Sequence, residues 1–158
     1  MATDGANIDV GDEVPEMEWT PDADLVQRLV SLSDWDRRSG GEGPDANQML
    51  SERNRFTDQD AARSEGFDNL IVPGPLGAMA MATAVQRWLP NAYISKLDCI
   101  FRQPLAQGHT VKASGVVTDR REEDGAAILE MDVYLMREDG QRPQSGMAVV
   151  VIPHSTAS

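Results

Sequence analysis

From Leu76 to Leu89 the chain runs Leu-Gly-Ala-Met-Ala-Met-Ala-Thr-Ala-Val-Gln-Arg-Trp-Leu, framed by Pro73-Gly74-Pro75 before it and Pro90-Asn91 after it. A helix at the surface of a small protein needs a polar stripe for water, and this segment is apolar on nearly every face for about three turns. It therefore predicts a helix over about 75–89 that other elements cover all round. Pro75 suits the first helical position, where an amide hydrogen would have no intrahelical partner. The segment falls short of the roughly 20 apolar residues of a membrane span and ends in Gln86-Arg87, which argues against insertion into a bilayer.

The carboxyl-terminal half supplies the cover. Tyr93 to Phe101 sets Leu97, Cys99 and Phe101 against Lys96 and Asp98, and Ala126 to Met136 sets Leu129, Met131, Val133 and Leu135 against Glu130 and Asp132. This period of two marks half-buried strands. Thr110–Thr118 is a β-branched run, and Gly146–Ile152 is continuously apolar. Glu123-Asp124-Gly125 and Glu138-Asp139-Gly140 have the composition of hairpin loops. The expectation is an antiparallel meander, and the fold class is α+β, one sheet wrapped around one buried helix.

The first half is softer. Residues 1–15 are polar and acidic and predict a flexible segment, with a short strand at Met17–Thr20. A helix is expected at about 22–34, where Leu25, Leu29, Val30 and Leu32 come after Pro21, Asp22 and Asp24. The stretch at about 37–50 is dense in Gly and charge and reads as a loop insertion. A short helix is expected from Asp58 to Glu65, with Thr57 as cap and Gly66 as stop. The domain proper spans 16–154.

Charge and cysteine narrow the function. The formal net charge is −12, with 17 acidic and six basic residues before position 71 and nine and eight after it. Nucleic-acid binding needs clustered bases, and none occur. The single Cys99 excludes an internal disulfide and a multi-cysteine metal site. The amino terminus has neither a basic region nor an apolar stretch, so the expected location is cytoplasmic.

The run Asp58-Gln-Asp-Ala-Ala-Arg-Ser-Glu-Gly-Phe-Asp-Asn-Leu-Ile-Val-Pro-Gly74 resembles the MaoC-like acyl dehydratase and (R)-specific enoyl-CoA hydratase family. There a His and an Asp precede Ala-Arg, Gly-Phe and an apolar pair before His-Gly or Pro-Gly. Val10-Gly-Asp-Glu-Val-Pro15 and Phe101-Arg-Gln-Pro-Leu-Ala-Gln-Gly108 are similar to two further family segments.

The resemblance implies a hot-dog fold and a dimer, homomeric or with a second hot-dog subunit. It implies an acyl thioester of coenzyme A or acyl carrier protein as ligand, hydratase or dehydratase chemistry, and no further cofactor or metal. Enolate-like charge on the thioester oxygen would be stabilised by an amide at a helix amino terminus, for which Gly74 is the candidate.

The family's catalytic Asp and His are not matched. Aligned without a gap from Ala62-Arg63, the His falls on Phe56 and the Asp on Ser51. With a one-residue gap, Asn54-Arg55-Phe56-Thr57 replaces Asn-Pro-Ile-His and the His becomes Thr57. The candidates for proton transfer are Asp34, Asp36 and Asp58, and those for substrate binding are Asn54, Arg55, Phe56, Thr57 and Gly74. Asp58 at a helix start has a purely structural explanation as well, and Arg55 could pair with neighbouring acids. His109 and His154 fall in a turn and in the carboxyl tail. Two functions stay open: a hydro-lyase with altered proton-transfer groups, or a silent subunit that binds a thioester or completes a catalytic partner.

Overall fold

A computed structural model of the chain describes residues 7–29 and 54–154. The described residues form two compact units. One comprises the residues up to Trp19, Gly77–Gln103 and those from Val111 on; the other comprises Thr20–Leu76 and Pro104–Thr110.

The first unit holds one five-stranded antiparallel sheet of order β1-β3-β4-β5-β2, formed by β1 (Glu13–Trp19), β2 (Tyr93–Phe101), β3 (Val111–Glu123), β4 (Ala126–Met136) and β5 (Gln144–Pro153). Strands β2 and β4 have the limits the alternation predicts. In β4, Leu129, Met131, Val133 and Leu135 are buried, whereas Asp132 between them is exposed. Burying one such leucine contributes about 1.5–3 kcal/mol, which is what fixes the register. Strand β3 runs five residues past Thr118, because its charged end pairs with β4 and Arg121 bonds Glu130 at 2.8 Å. Strand β5 starts two residues before Gly146, at the buried Gln144.

Only β3, β4 and β5 form the expected meander. The turn between β3 and β4 has Asp124 at φ 49° and Gly125 at φ 75°, the positive pair that a two-residue hairpin loop requires. Strand β2 instead pairs with β5 at one edge, Phe101 opposite Gln144, and β1 pairs with β3 at the other. Strand β1 begins inside the segment expected to be flexible. Ile8 and Val14 are each 1% exposed, and the Gly11 amide bonds the Val117 carbonyl. Two buried apolar side chains and a ladder on β3 order residues that an acidic composition had placed outside the fold.

The second unit contains α1 over residues 23–29 and α2 at Gln59–Ser64. Leu25 donates its amide to the Asp22 carboxylate, as a helix start with Asp at the cap should. The expected continuation of α1 to residue 34 and the Gly-rich loop at 37–50 lie outside the described residues.

Helix α3 spans Gly74–Trp88, so Pro75 takes its second position, still without an intrahelical acceptor to miss. Leu76, Ala80, Met81, Ala84, Val85 and Trp88 are buried. The expected burial on every face is corrected by a stripe at Pro75, Met79, Thr83 and Gln86-Arg87, which is exposed, Met79 by 55%. In the first half of the helix the stripe consists of Pro75 and Met79, which look like core residues to a hydropathy reading, so only Thr83, Gln86 and Arg87 mark it as polar.

Candidate functional site

Residues 54–58, 71–74 and 104–107 come together in the second unit. Asn54 makes the turn: its Oδ1 accepts from the Phe56 amide at 2.8 Å, and its carbonyl accepts from the amides of Thr57 and Asp58. An Asn carboxamide closing onto the backbone two residues ahead is a local preference of that side chain, so the turn is built into the sequence. Gln107 then ties this turn to the approach to the helix, donating from Nε2 to the carbonyls of Phe56 and Ile71. The Ile71 amide bonds the Arg55 carbonyl, and the Val72 amide bonds the Leu105 carbonyl. The substrate-binding candidates Asn54, Arg55, Phe56 and Thr57 thus stand beside the short bridge that leads into Gly74.

Gly74 opens a fifteen-residue helix, and its amide donates to no group among the described residues. An amide in that position carries part of the positive end of the helix dipole and can receive an oxyanion.

The charged candidates are already engaged. Asp58 is the N-cap of α2, its Oδ1 accepting from the Ala61 amide at 2.9 Å. The expected cap was Thr57, one residue earlier; the Thr57 hydroxyl instead faces Asn54 Oδ1. Arg55 forms an ion pair with Glu65 at 3.0 Å and lies 5.7 Å over the Phe56 ring. This offsets the charge with which it could meet a phosphate. Asp34 and Asp36 lie outside the described residues. His109 and His154 are exposed, and His154 Nε2 is 2.8 Å from Glu122 Oε2.

Reading the sequence missed Gln107, which ties the Asn54–Thr57 turn together, and Gln144, a buried polar side chain of β5. Gln107 sits in a loop with no periodicity to mark it. Gln144 carries a signal: it shares the parity of Ala148 and Val150, the inward positions of β5, and is the one large polar side chain among them.

On the outer face of the sheet is a groove of about 470 Å³, bordered by Asp98, Ile100, Arg102, Asp132 and Tyr134. Arg142 stacks over Tyr134, 3.7 Å from the ring centroid. None of the site residues expected from the sequence lines this groove. Among the described residues, no three metal-binding side chains cluster, and no helix is long and apolar enough to cross a membrane.

No family profile matches the sequence, and no curated protein matches it. Solved structures do. The chain is similar to the (R)-hydratase from A. caviae involved in PHA biosynthesis, with TM-score 0.73 and 23% identity over 93% of this chain and 98% of that one. It is similar to the MaoC-like dehydratase from Rhodospirillum rubrum, with TM-score 0.70 and 18% identity over 97% and 98%. A chain of the ChsH1-ChsH2 complex from Mycobacterium tuberculosis gives TM-score 0.66 and 19% identity over 91% and 98%. With its helix and single antiparallel five-stranded sheet, the chain has the α+β hot-dog fold of (R)-hydratases and MaoC-like dehydratases.

Proposed function

We propose that the chain is a hot-dog subunit that binds an enoyl or 3-hydroxyacyl thioester, carried on coenzyme A or an acyl carrier protein, and serves hydratase or dehydratase chemistry. The observation that carries this reading is the Gly74 amide at the start of α3, which donates to no group among the described residues, in a fold shared with an (R)-hydratase and a MaoC-like dehydratase. Adding or removing water beside a thioester carbonyl loads negative charge onto the carbonyl oxygen. A fixed amide dipole stabilises that charge without having to reorient during the reaction. Gly also lets the thioester approach the backbone, since there is no side chain in the way.

The reading includes a second hot-dog subunit. Strand β2 is an edge of the sheet, with Tyr93, Ile100 and Phe101 more than half exposed along it. An open apolar edge invites pairing with another strand, and one of the similar structures is a two-protein complex. The location that goes with this reading is the cytoplasm.

A second reading is favoured by Asp58 acting as a helix cap and by Phe56 and Thr57 standing where the related motif has its His. In it, this subunit holds the thioester and a partner supplies proton transfer. Purified protein incubated with crotonyl-CoA separates the two. Hydration by the chain alone supports the enzyme; binding without turnover supports the silent subunit. Absence of binding to crotonyl-CoA and to a crotonylated carrier protein would sink both.

A further inference from the structure

On the helix-facing side of the sheet, three neighbours pass from closed to open. Leu135, Gln144 and Phe101 are register partners across β4, β5 and β2, so their side chains share one face. Their exposures are 0%, 2% and 54%. The Gln144 carboxamide packs against Gly77 in the first turn of α3 with its oxygen end nearest: a Cβ at Gly77 would stand 1.8 Å from Oε1 and 2.8 Å from Nε2. Gly77 is therefore the residue that gives the carboxamide its place. Gln144 Oε1 is buried and accepts no hydrogen bond among the described residues.

A buried carbonyl oxygen without a donor is costly, and Leu or Met would fill the same volume without that penalty. An unmet acceptor of this kind, packed against the first turn of α3 and cross-strand from the half-exposed Phe101, is arranged for a donor that the described residues do not supply.

We propose that Gln144 reads the acyl group: its Oε1 accepts a hydrogen bond from a hydroxyl on the acyl chain of a bound thioester, which reaches it past the open ring of Phe101. This rests on the thioester reading above and adds a selectivity to it. A site built to hydrogen-bond a hydroxyl disfavours the ligand that lacks one, because the acceptor is then left buried and unpaired. Gln144 is a specificity residue that takes no part in proton transfer.

The test is calorimetric binding of 3-hydroxybutyryl-CoA and butyryl-CoA to the full chain and to Gln144→Met and Gln144→Leu. The unsubstituted protein is expected to prefer the hydroxylated ligand by roughly tenfold, the ratio that one neutral hydrogen bond supports. Both variants are expected to bind the two ligands within about twofold of each other. Without ligand, their melting temperatures are expected to equal or exceed that of the parent, by up to about 2–4 °C for a chain of this size. Equal affinities in the parent, or a preference retained in both variants, overturns the role of Gln144 and leaves the thioester reading standing. A lower melting temperature in both variants overturns it too, because the carboxamide would then be satisfied within the protein. Failure of the parent to bind either thioester removes the reading itself, and the inference falls with it.

Discussion

Gln107 donates from Nε2 to the carbonyl oxygen of Phe56 at 2.8 Å, across 51 positions of sequence. The same nitrogen reaches the Ile71 carbonyl at 2.9 Å. One carboxamide therefore holds the Asn54–Thr57 turn beside the bridge that precedes Gly74. Gln107→Leu keeps the volume and removes both donors, leaving two partly buried carbonyls without them. The expected loss is about 1–3 kcal/mol in chemical unfolding, read as a lower urea midpoint at unchanged slope.

Asp58 tests whether a carboxylate at a helix start is a cap or a base. Asp58→Ala is expected to cost about 1 kcal/mol, and Asp58→Asn only a few tenths, because Asn accepts the Ala61 amide equally well. Asn cannot take a proton. If crotonyl-CoA is hydrated and Asp58→Asn abolishes turnover while its thermal midpoint holds, the carboxylate has a catalytic role beyond capping.

Leu129 is fully buried at the centre of β4. Leu129→Ala is expected to destabilise the sheet by about 2–5 kcal/mol, the loss of transfer free energy plus that of the cavity left behind. Thermal and urea unfolding should agree in sign and size.

The turn at Asp124-Gly125 depends on two left-handed residues in succession. Gly125→Ala adds a Cβ to a backbone at φ 75° and is expected to cost about 1 kcal/mol, whereas Asp124→Gly relieves the other position and is expected to be neutral or slightly stabilising. Space does not decide it, since nothing lies within 4 Å of a Cβ at Gly125.

Glu122 supplies a pH dependence with a defined sign. The hydrogen bond from Arg120, and after it the one from His154, holds its carboxyl below the ordinary glutamate value of 4.5. A carboxylate depressed in the folded state stabilises the protein above its unfolded value, and that contribution is lost as pH falls through the folded one. The stability difference between the parent and Glu122→Gln should be constant near neutrality and shrink below about pH 4.5, measured by urea unfolding down to about pH 3. Glu122 is exposed to solvent, so the effect should be small and weaken in salt.

Much of the fold was legible because it rests on local periodicity. The inward leucines of β4 state their environment in the order of residues alone, and the small apolar residues of α3 state the helix though not its exposed stripe. Pairing order is not local. Nothing in Tyr93–Phe101 says that its neighbour is β5 and not β3, so the meander reading put that strand in the wrong place. The strand expected at Met17–Thr20 is the second half of β1; its first half was hidden because Val14 is a lone buried side chain of that strand in an acidic run, and its stability comes from a ladder with residues about a hundred positions away. The site was legible to the extent that a motif carried it. Asn54–Thr57 and Gly74 were recognisable as segments, but Gln107, which braces that turn, and Gln144, which packs against Gly77, act through tertiary contacts that no spacing announces.

The late partner of β1 has a kinetic side. Val14 accepts its hydrogen bond from Ser114, a separation of 100 residues, so during synthesis β1 emerges long before the strand it will join. Through that interval it is an unpaired edge in search of any backbone. Its outward side chains include Glu13, Glu16 and Glu18, and Glu16 finds its partner Lys112 only when β3 arrives. Like charges on every copy keep waiting strands from pairing with one another. Glu13, Glu16 and Glu18 thus disfavour pairing between copies of β1 until Lys112 arrives to pair with Glu16.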